Sequence, residues 1–173
     1  QTPPAAAPGE VISFDLHALS VPSPGGYTHA ISTVDEHTGA MFVVGAQNKT
    51  TPAIVAALRR LAAVSFNAFG HRVRAFHGDG EAVNRSLAMP LGDVGIQLIA
   101  TPAGLHARSA ERGYRCVSET SVASLAVLLY HVPRQYDLLL HANSANILNH
   151  GINKKSDPLT PEEALTGKST PMP

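Results

Sequence analysis

Residues Gly9–Leu19, GEVISFDLHAL, decide how this chain folds. Extended, they send Val11, Ser13, Asp15 and His17 to one face and Ile12, Phe14, Leu16 and Ala18 to the other. The second set is wholly apolar and belongs against a core. Asp15 therefore projects from a rigid strand on the face away from that packing. A carboxylate that loses water there needs a partner. A satisfied structural Asp and a functional acid both meet that need, and two acids further along favour the second.

Outward from this strand the pattern alternates strand and helix. Pro22-Ser23-Pro24-Gly25-Gly26 is a turn cluster, Tyr27 to Val34 alternates as a second strand, and Asp35 to Gly39 turns again into a short buried strand, Ala40 to Gly45. Thr50 or Thr51 caps a helix with Pro52 in its first turn, its apolar stripe running to Phe66 and its end near Gly70. Arg72 to His77 forms a fourth strand, Ala82 to Met89 a short helix, and Gly95 to Ala100 a fifth strand. A long helix runs from Ser109 to about Tyr130. Pro133 interrupts it before another helix, roughly Gln135 to His150. Thr160-Pro161-Glu162-Glu163 opens a last short helix, Pro161 to Leu165, with a capping box. The order predicts one α/β domain: a five-stranded mixed sheet with helices on both faces. The helix after the meander supplies the crossover that a parallel strand requires.

The chain has 173 residues, enough to bury a real core, and 13 Lys plus Arg balance 13 Asp plus Glu. That balance argues mildly against an autonomous, tight nucleic-acid binder. A single cysteine excludes a disulfide framework and a four-cysteine zinc site, and the nine histidines show no metal-binding spacing. No apolar run reads as membrane-spanning, so no membrane role is expected, and residues 1–8 read as a linker without signal-peptide character. The abrupt start suggests a piece of a longer protein. The sequon at Asn48 reads as idle, and the chain reads as intracellular.

The chemistry gathers at three acids. Asp15 lies on the first strand. Asp79 follows the fourth strand between two glycines that allow close approach. Glu111 opens the long helix. If the first and fourth strands are neighbours, Asp15 and Asp79 meet at one sheet edge and the helix brings Glu111 beside them. Three converging carboxylates repel unless a cation joins them. Oxygen-only donors favour Mg²⁺ or Mn²⁺. Two such ions about 3.5–4 Å apart serve phosphoryl transfer.

These residues resemble a family. Asp15 in FDLHAL, the turn before YTHAISTVDEHTG, Lys49 in QNKT, Asp79-Gly80-Glu81, Gly95-Ile96, Ala110-Glu111-Arg112, and Asn149 followed by TPEEALTGKSTP are similar to the catalytic core of a retroviral-type integrase. The copia-type retrotransposon branch is the one they resemble in particular. The resemblance runs from about Gly9 to Pro171. It implies an RNase H-like fold with the core at 9–150 and a C-terminal extension at 151–173. It implies the triad Asp15, Asp79 and Glu111 as catalytic residues and ligands of two Mg²⁺ or Mn²⁺ ions. The implied reactions are 3′-end processing and strand transfer of element DNA into target DNA. A homodimer or higher oligomer acting in the nucleus follows from the same likeness.

The sequence departs from the family in two places. Ala107-Arg108 stands where Asn-Gly is common before the Glu, and the Asp-Asn-Gly-Gly-Glu stretch is shortened to Asp79-Gly80-Glu81. Around the acids, Arg108, Arg112 and Arg115 read either as DNA-backbone contacts or as solvated helix charges. Glu81 reads either as an orienting partner of Asp79 or as a first-turn helix acid. His77 and His106 read as ordinary strand and loop histidines, and Cys116 as a small core residue. Two alternatives stand beside the integrase reading. One is a degenerate or domesticated core acting as a nucleic-acid or protein interaction module; the other is an RNase H-like nuclease.

Overall fold

The opening alternation becomes strand β1, Val11–Ala18, in a computed structural model that describes residues 5–79, 86–101 and 108–168. Strand β2, His29–Asp35, pairs antiparallel with β1, and β3, Met41–Ala46, pairs antiparallel with β2. Strands β4, Ala75–Gly78, and β5, Gln97–Ala100, then continue the sheet in parallel on the other side of β1. The order is β3-β2-β1-β4-β5, with β1 central.

Each face of β1 acquires its own layer. Ile12 and Phe14 are buried against helix α1, Thr51–Ser65, whose Ile54, Leu58 and Leu61 are equally buried. Phe14 meets Phe76 edge-on at 6.1 Å, and Phe42 meets Phe66 at 5.4 Å. Residues 51–69 are, by length and composition, apolar enough to cross a membrane, which the sequence reading overlooked. Here their apolar stripe covers the sheet. The opposite face carries α3, Arg108–Ala126, over β1 and β2, and α4, Asp137–Asn149, over β3.

Several boundaries differ from expectation for local reasons. Strand β4 starts at Ala75, because its partner β1 begins pairing only at Val11. Gly9 at φ 77° turns the preceding chain away. Helix α2 is Ala88–Gly92, so Pro90 falls in its first turn, where its missing N–H costs nothing. Of the expected helix at 82–89, residues 82–85 lie outside the described residues. Helix α3 stops at Ala126; Val127, Leu129 and Tyr130 are exposed, so no packing sustains further turns. Thr50 occupies the cap position of α1, but its hydroxyl turns to Asn48 Oδ1 rather than to the helix.

Two polar side chains staple the sheet. Asp35 is wholly buried; Oδ1 accepts the Gly9 N–H at 3.0 Å and Oδ2 accepts the Thr38 N–H and hydroxyl at 2.9 and 2.7 Å. At edge strand β3, Asn149 accepts the Met41 N–H at 2.7 Å and donates to the Met41 carbonyl at 2.8 Å. The C-terminal helix α5, Pro161–Thr166, forms its capping box as expected, Thr160 Oγ1 accepting from the Glu163 N–H and Glu163 Oε2 from the Thr160 N–H. Its Leu165 joins the α1-side core.

Candidate active site

Strand register brings the first two acids to one level. Ser13 pairs with His77 across the parallel β1–β4 ladder. Two residues further along each chain stand Asp15 and Asp79. Neighbouring strands lie about 4.8 Å apart, so the two acids occupy adjacent positions at the carboxyl end of β4. Asp15 is half-buried. Its Oδ1 accepts the Leu16 N–H at 2.8 Å, and its Oδ2 lies 3.5 Å from His17 Nε2.

Helix α3 is seated over this level by two contacts. Gly113 faces Val34 so closely that a Cβ would fall on the valine side chain, which lets the helix backbone approach β2. Tyr114 lies flat on the His17 ring, 3.4 Å between centroids at 13°, and meets His141 of α4 edge-on at 5.8 Å. Burial lowers the pKa of His17, with Asp15 opposing and His141 reinforcing that shift. Burial likewise lowers that of His141 against the pull of Asp137. Both imidazoles beside Asp15 are thus neutral near pH 7.

Glu111, in the first turn of α3, is exposed and pairs with Arg115 Nη2 at 3.3 Å, one turn along. Among the described residues, no group of three His, Cys, Asp or Glu side chains is set closely enough to hold a metal ion. The donor set suits a hard divalent cation, and the register suits Asp15 and Asp79 as joint ligands. Glu111 would have to leave Arg115 to join them. Glu81 lies outside the described residues, as does His106.

The arginines divide. Arg115 is committed to Glu111, whereas Arg108 and Arg112 line a cavity of about 280 Å³ with Lys154 and Lys155, floored by Val34, Met41 and Cys116. Cys116 is therefore half-buried in a cavity wall rather than a core residue.

One residue that the sequence reading passed over is central. Glu36, in the β2–β3 turn, takes a hydrogen bond from Ser13 Oγ at 2.5 Å on Oε1, and one from Lys155 Nζ at 2.9 Å on Oε2. Burial alone would raise the Glu36 pKa, but the bonds from Ser13 and Lys155, helped by Ser109 at the start of α3, outweigh it and hold the carboxyl below its usual value. His77 Nδ1 stands 3.3 Å from Ser13 Oγ, and its Nε2 stands 2.9 Å from Thr101 Oγ1. Thr101 in turn donates to the Gly78 carbonyl at 3.0 Å. Nothing in the local sequence marked Glu36, because its partners are 23 and 119 residues away.

With this geometry in view, solved structures supply the fold. The catalytic core domain of BIV integrase superposes with a TM-score of 0.65 at 13% identity, covering 92% of this chain and 95% of that one. The fold is that of an integrase catalytic core. It is RNase H-like, as the strand order and the two helical layers indicate. A chain of the simian T-cell lymphotropic virus intasome in complex with PP2A regulatory subunit B56 gamma matches with a TM-score of 0.71 at 10% identity. The match covers 98% of this chain, which spans only 58% of that one. No protein-family model and no curated protein matches the sequence.

Proposed function

We propose that this chain is the catalytic core of a copia-type retrotransposon integrase, a polynucleotidyl transferase that processes element DNA ends and joins them to target DNA. The observation that carries the reading is the β1–β4 register, which sets Asp15 level with Asp79 beneath the helix bearing Glu111. The TPEEALTGKSTP ending supports the retrotransposon assignment.

In this reading Asp15, Asp79 and Glu111 hold Mg²⁺ or Mn²⁺. When bound, such ions offset charge on the transferring phosphoryl group and favour a deprotonated oxygen nucleophile. The protein's own part is to orient. Two acids are fixed by strand register, and the third is delivered by a helix seated on Gly113 and Tyr114. Arg108, Arg112 and Lys154 form a cationic wall for DNA backbone phosphates. Lys155 adds less, because Glu36 neutralises it. The partners are element and target DNA and further copies of this chain, acting in the nucleus.

The test is strand transfer with Mn²⁺ or Mg²⁺, using Asp15→Asn, Asp79→Asn and Glu111→Gln. Each variant should lose processing and joining while keeping its melting temperature. Activity within about tenfold of the parent would remove that residue from the site. A second reading is favoured by one observation, the Glu111–Arg115 pair, which occupies the third ligand. It makes the chain a domesticated interaction module that binds neither metal nor DNA ends. Titration with Mn²⁺ separates the two, and cutting without joining would point instead to a nuclease.

A further inference from the structure

Three residues share one relation to the three acids. Ser13 stands two before Asp15, His77 two before Asp79, and Ser109 two before Glu111. On a strand, residues two apart lie on the same face, so Ser13 and His77 form a layer directly behind the two aspartates. Ser109 lies in the same first turn of α3 as Glu111. All three gather around a single carboxylate, two of them in one hydrogen-bonded group. Ser13 donates to Glu36 directly and His77 reaches it through Ser13, while Ser109 lines the same cavity as the Lys155 that Glu36 holds and helps lower the Glu36 pKa. On its other side, His77 Nε2 stands 2.9 Å from Thr101 Oγ1.

Glu36 is itself held firmly. Its N–H donates to the Val11 carbonyl at 3.0 Å, and Lys155 Nζ reaches both its carboxylate and its own carbonyl, at 2.9 and 3.0 Å. A half-buried carboxylate accepting charge-assisted bonds from two sides is a stiff joint. It ties the β2–β3 turn to β1 and, through Ser13, to β4, with the start of α3 set beside it.

We propose that Glu36 is a positioning residue that holds the three acid-bearing elements in mutual register. This rests on the integrase reading for its catalytic consequence, but not for its structural one. Glu36 meets neither metal nor DNA; it acts through Ser13, Ser109 and His77. Lys155 closes the charge and fastens the C-terminal segment without contributing to the register.

The experiment compares Glu36→Ala, Glu36→Gln and Lys155→Met with the parent by amide hydrogen exchange, Mn²⁺ titration and single-turnover joining. Glu36→Ala should speed exchange in residues 75–79 and 108–115 and leave α1 amides unchanged. Its Mn²⁺ affinity should fall about 10–100-fold, as for other groups that orient metal ligands. Joining should lose its limiting single-turnover rate while the DNA concentration giving half that rate is unchanged. Glu36→Gln, which still accepts from Ser13, should recover part of each loss and serves if the alanine variant fails to fold. Lys155→Met should leave exchange at α3 and Mn²⁺ affinity near the parent. Parent-like exchange at the start of α3 in Glu36→Ala overturns the proposal. So does unchanged Mn²⁺ affinity in a parent that binds Mn²⁺, or a Lys155→Met variant that reproduces the whole loss. If the parent binds no Mn²⁺ and joins no DNA, the integrase reading fails, and the exchange result alone decides the role of Glu36.

Discussion

Glu111 and Arg115 face each other at 3.3 Å on the outer side of α3, with both side chains more than half exposed. An exposed pair of this kind is worth about 0–1 kcal/mol, so a metal ion can displace the arginine at small cost. Arg115→Gln should therefore tighten Mn²⁺ binding by up to about fivefold, the equivalent of that 1 kcal/mol. It should leave the salt dependence of DNA binding unchanged. Arg112→Ala, in the cationic cavity wall, should instead lower the salt slope by about one. Weaker Mn²⁺ binding by the Arg115 variant would show that the pair supports the site rather than competing with it.

Gly113 and Val34 should behave as a coupled pair. Gly113→Ala gains about 1 kcal/mol of helix propensity, but forcing a Cβ onto Val34 costs about 1–3 kcal/mol. A net loss of about 1 kcal/mol would appear as roughly 2–4 °C in melting temperature. Adding Val34→Ala should return part of that loss, and strictly additive effects of the two changes would rule out the contact.

Asp35 should be the most costly single polar side chain to remove. Asp35→Ala strands the Gly9 and Thr38 N–H groups and the Thr38 hydroxyl, each costing about 1–3 kcal/mol when left unsatisfied and buried. A loss of at least about 3 kcal/mol corresponds to roughly 6–12 °C. Chemical denaturation gives the number directly, and a change below about 1 kcal/mol would mean water replaces the carboxylate.

His141 gives the fold an acid-sensitive side. Its Nδ1 is buried without a hydrogen-bond partner among the described residues, and burial lowers its pKa. As pH falls through about 6.5, the unfolded chain takes up a proton that the folded one resists. Stability is therefore lost between that value and the lower folded pKa, and levels off below it. His17 and His77 carry the same sign, burial again being the main cause. Melting temperature should fall between pH 7.5 and 5.5, and more gently in His141→Phe, which keeps the edge contact with Tyr114. An identical slope in parent and variant would assign the acid sensitivity to other groups.

How legible the protein was depends on the range of the interactions. The strand alternation around Asp15, the helical crossover and the Thr160 capping box are local patterns, and each appears as read. The adjacency of β1 and β4 was conditional in the sequence and is realised in the ladder. What escaped were features that exist only after folding. Glu36 looks like a turn acid until Ser13, Ser109 and Lys155 converge on it. Gly113 looks like a weak point in a helix until Val34 is beneath it. Arg115 reads equally as phosphate contact and solvated charge, because the rotamer that takes it to Glu111 is not written in spacing. The ends of α3 and β4 were misjudged because exposure and the lack of a pairing partner, rather than propensity, set them.

Asn149 has a consequence for how copies of this chain can meet. Its amide presents to Met41 one acceptor and one donor, the same complement that the backbone of a neighbouring strand would offer. Strand β3 ends the sheet, and an open edge there invites a second polypeptide to add itself by main-chain pairing. With Met41 already matched by a side-chain counterfeit of that neighbour, a sixth strand cannot dock in register at this point. Association along the β3 margin is thereby turned from backbone zippering towards helix surfaces, and Asn149→Ala would reopen the margin to sheet-to-sheet growth.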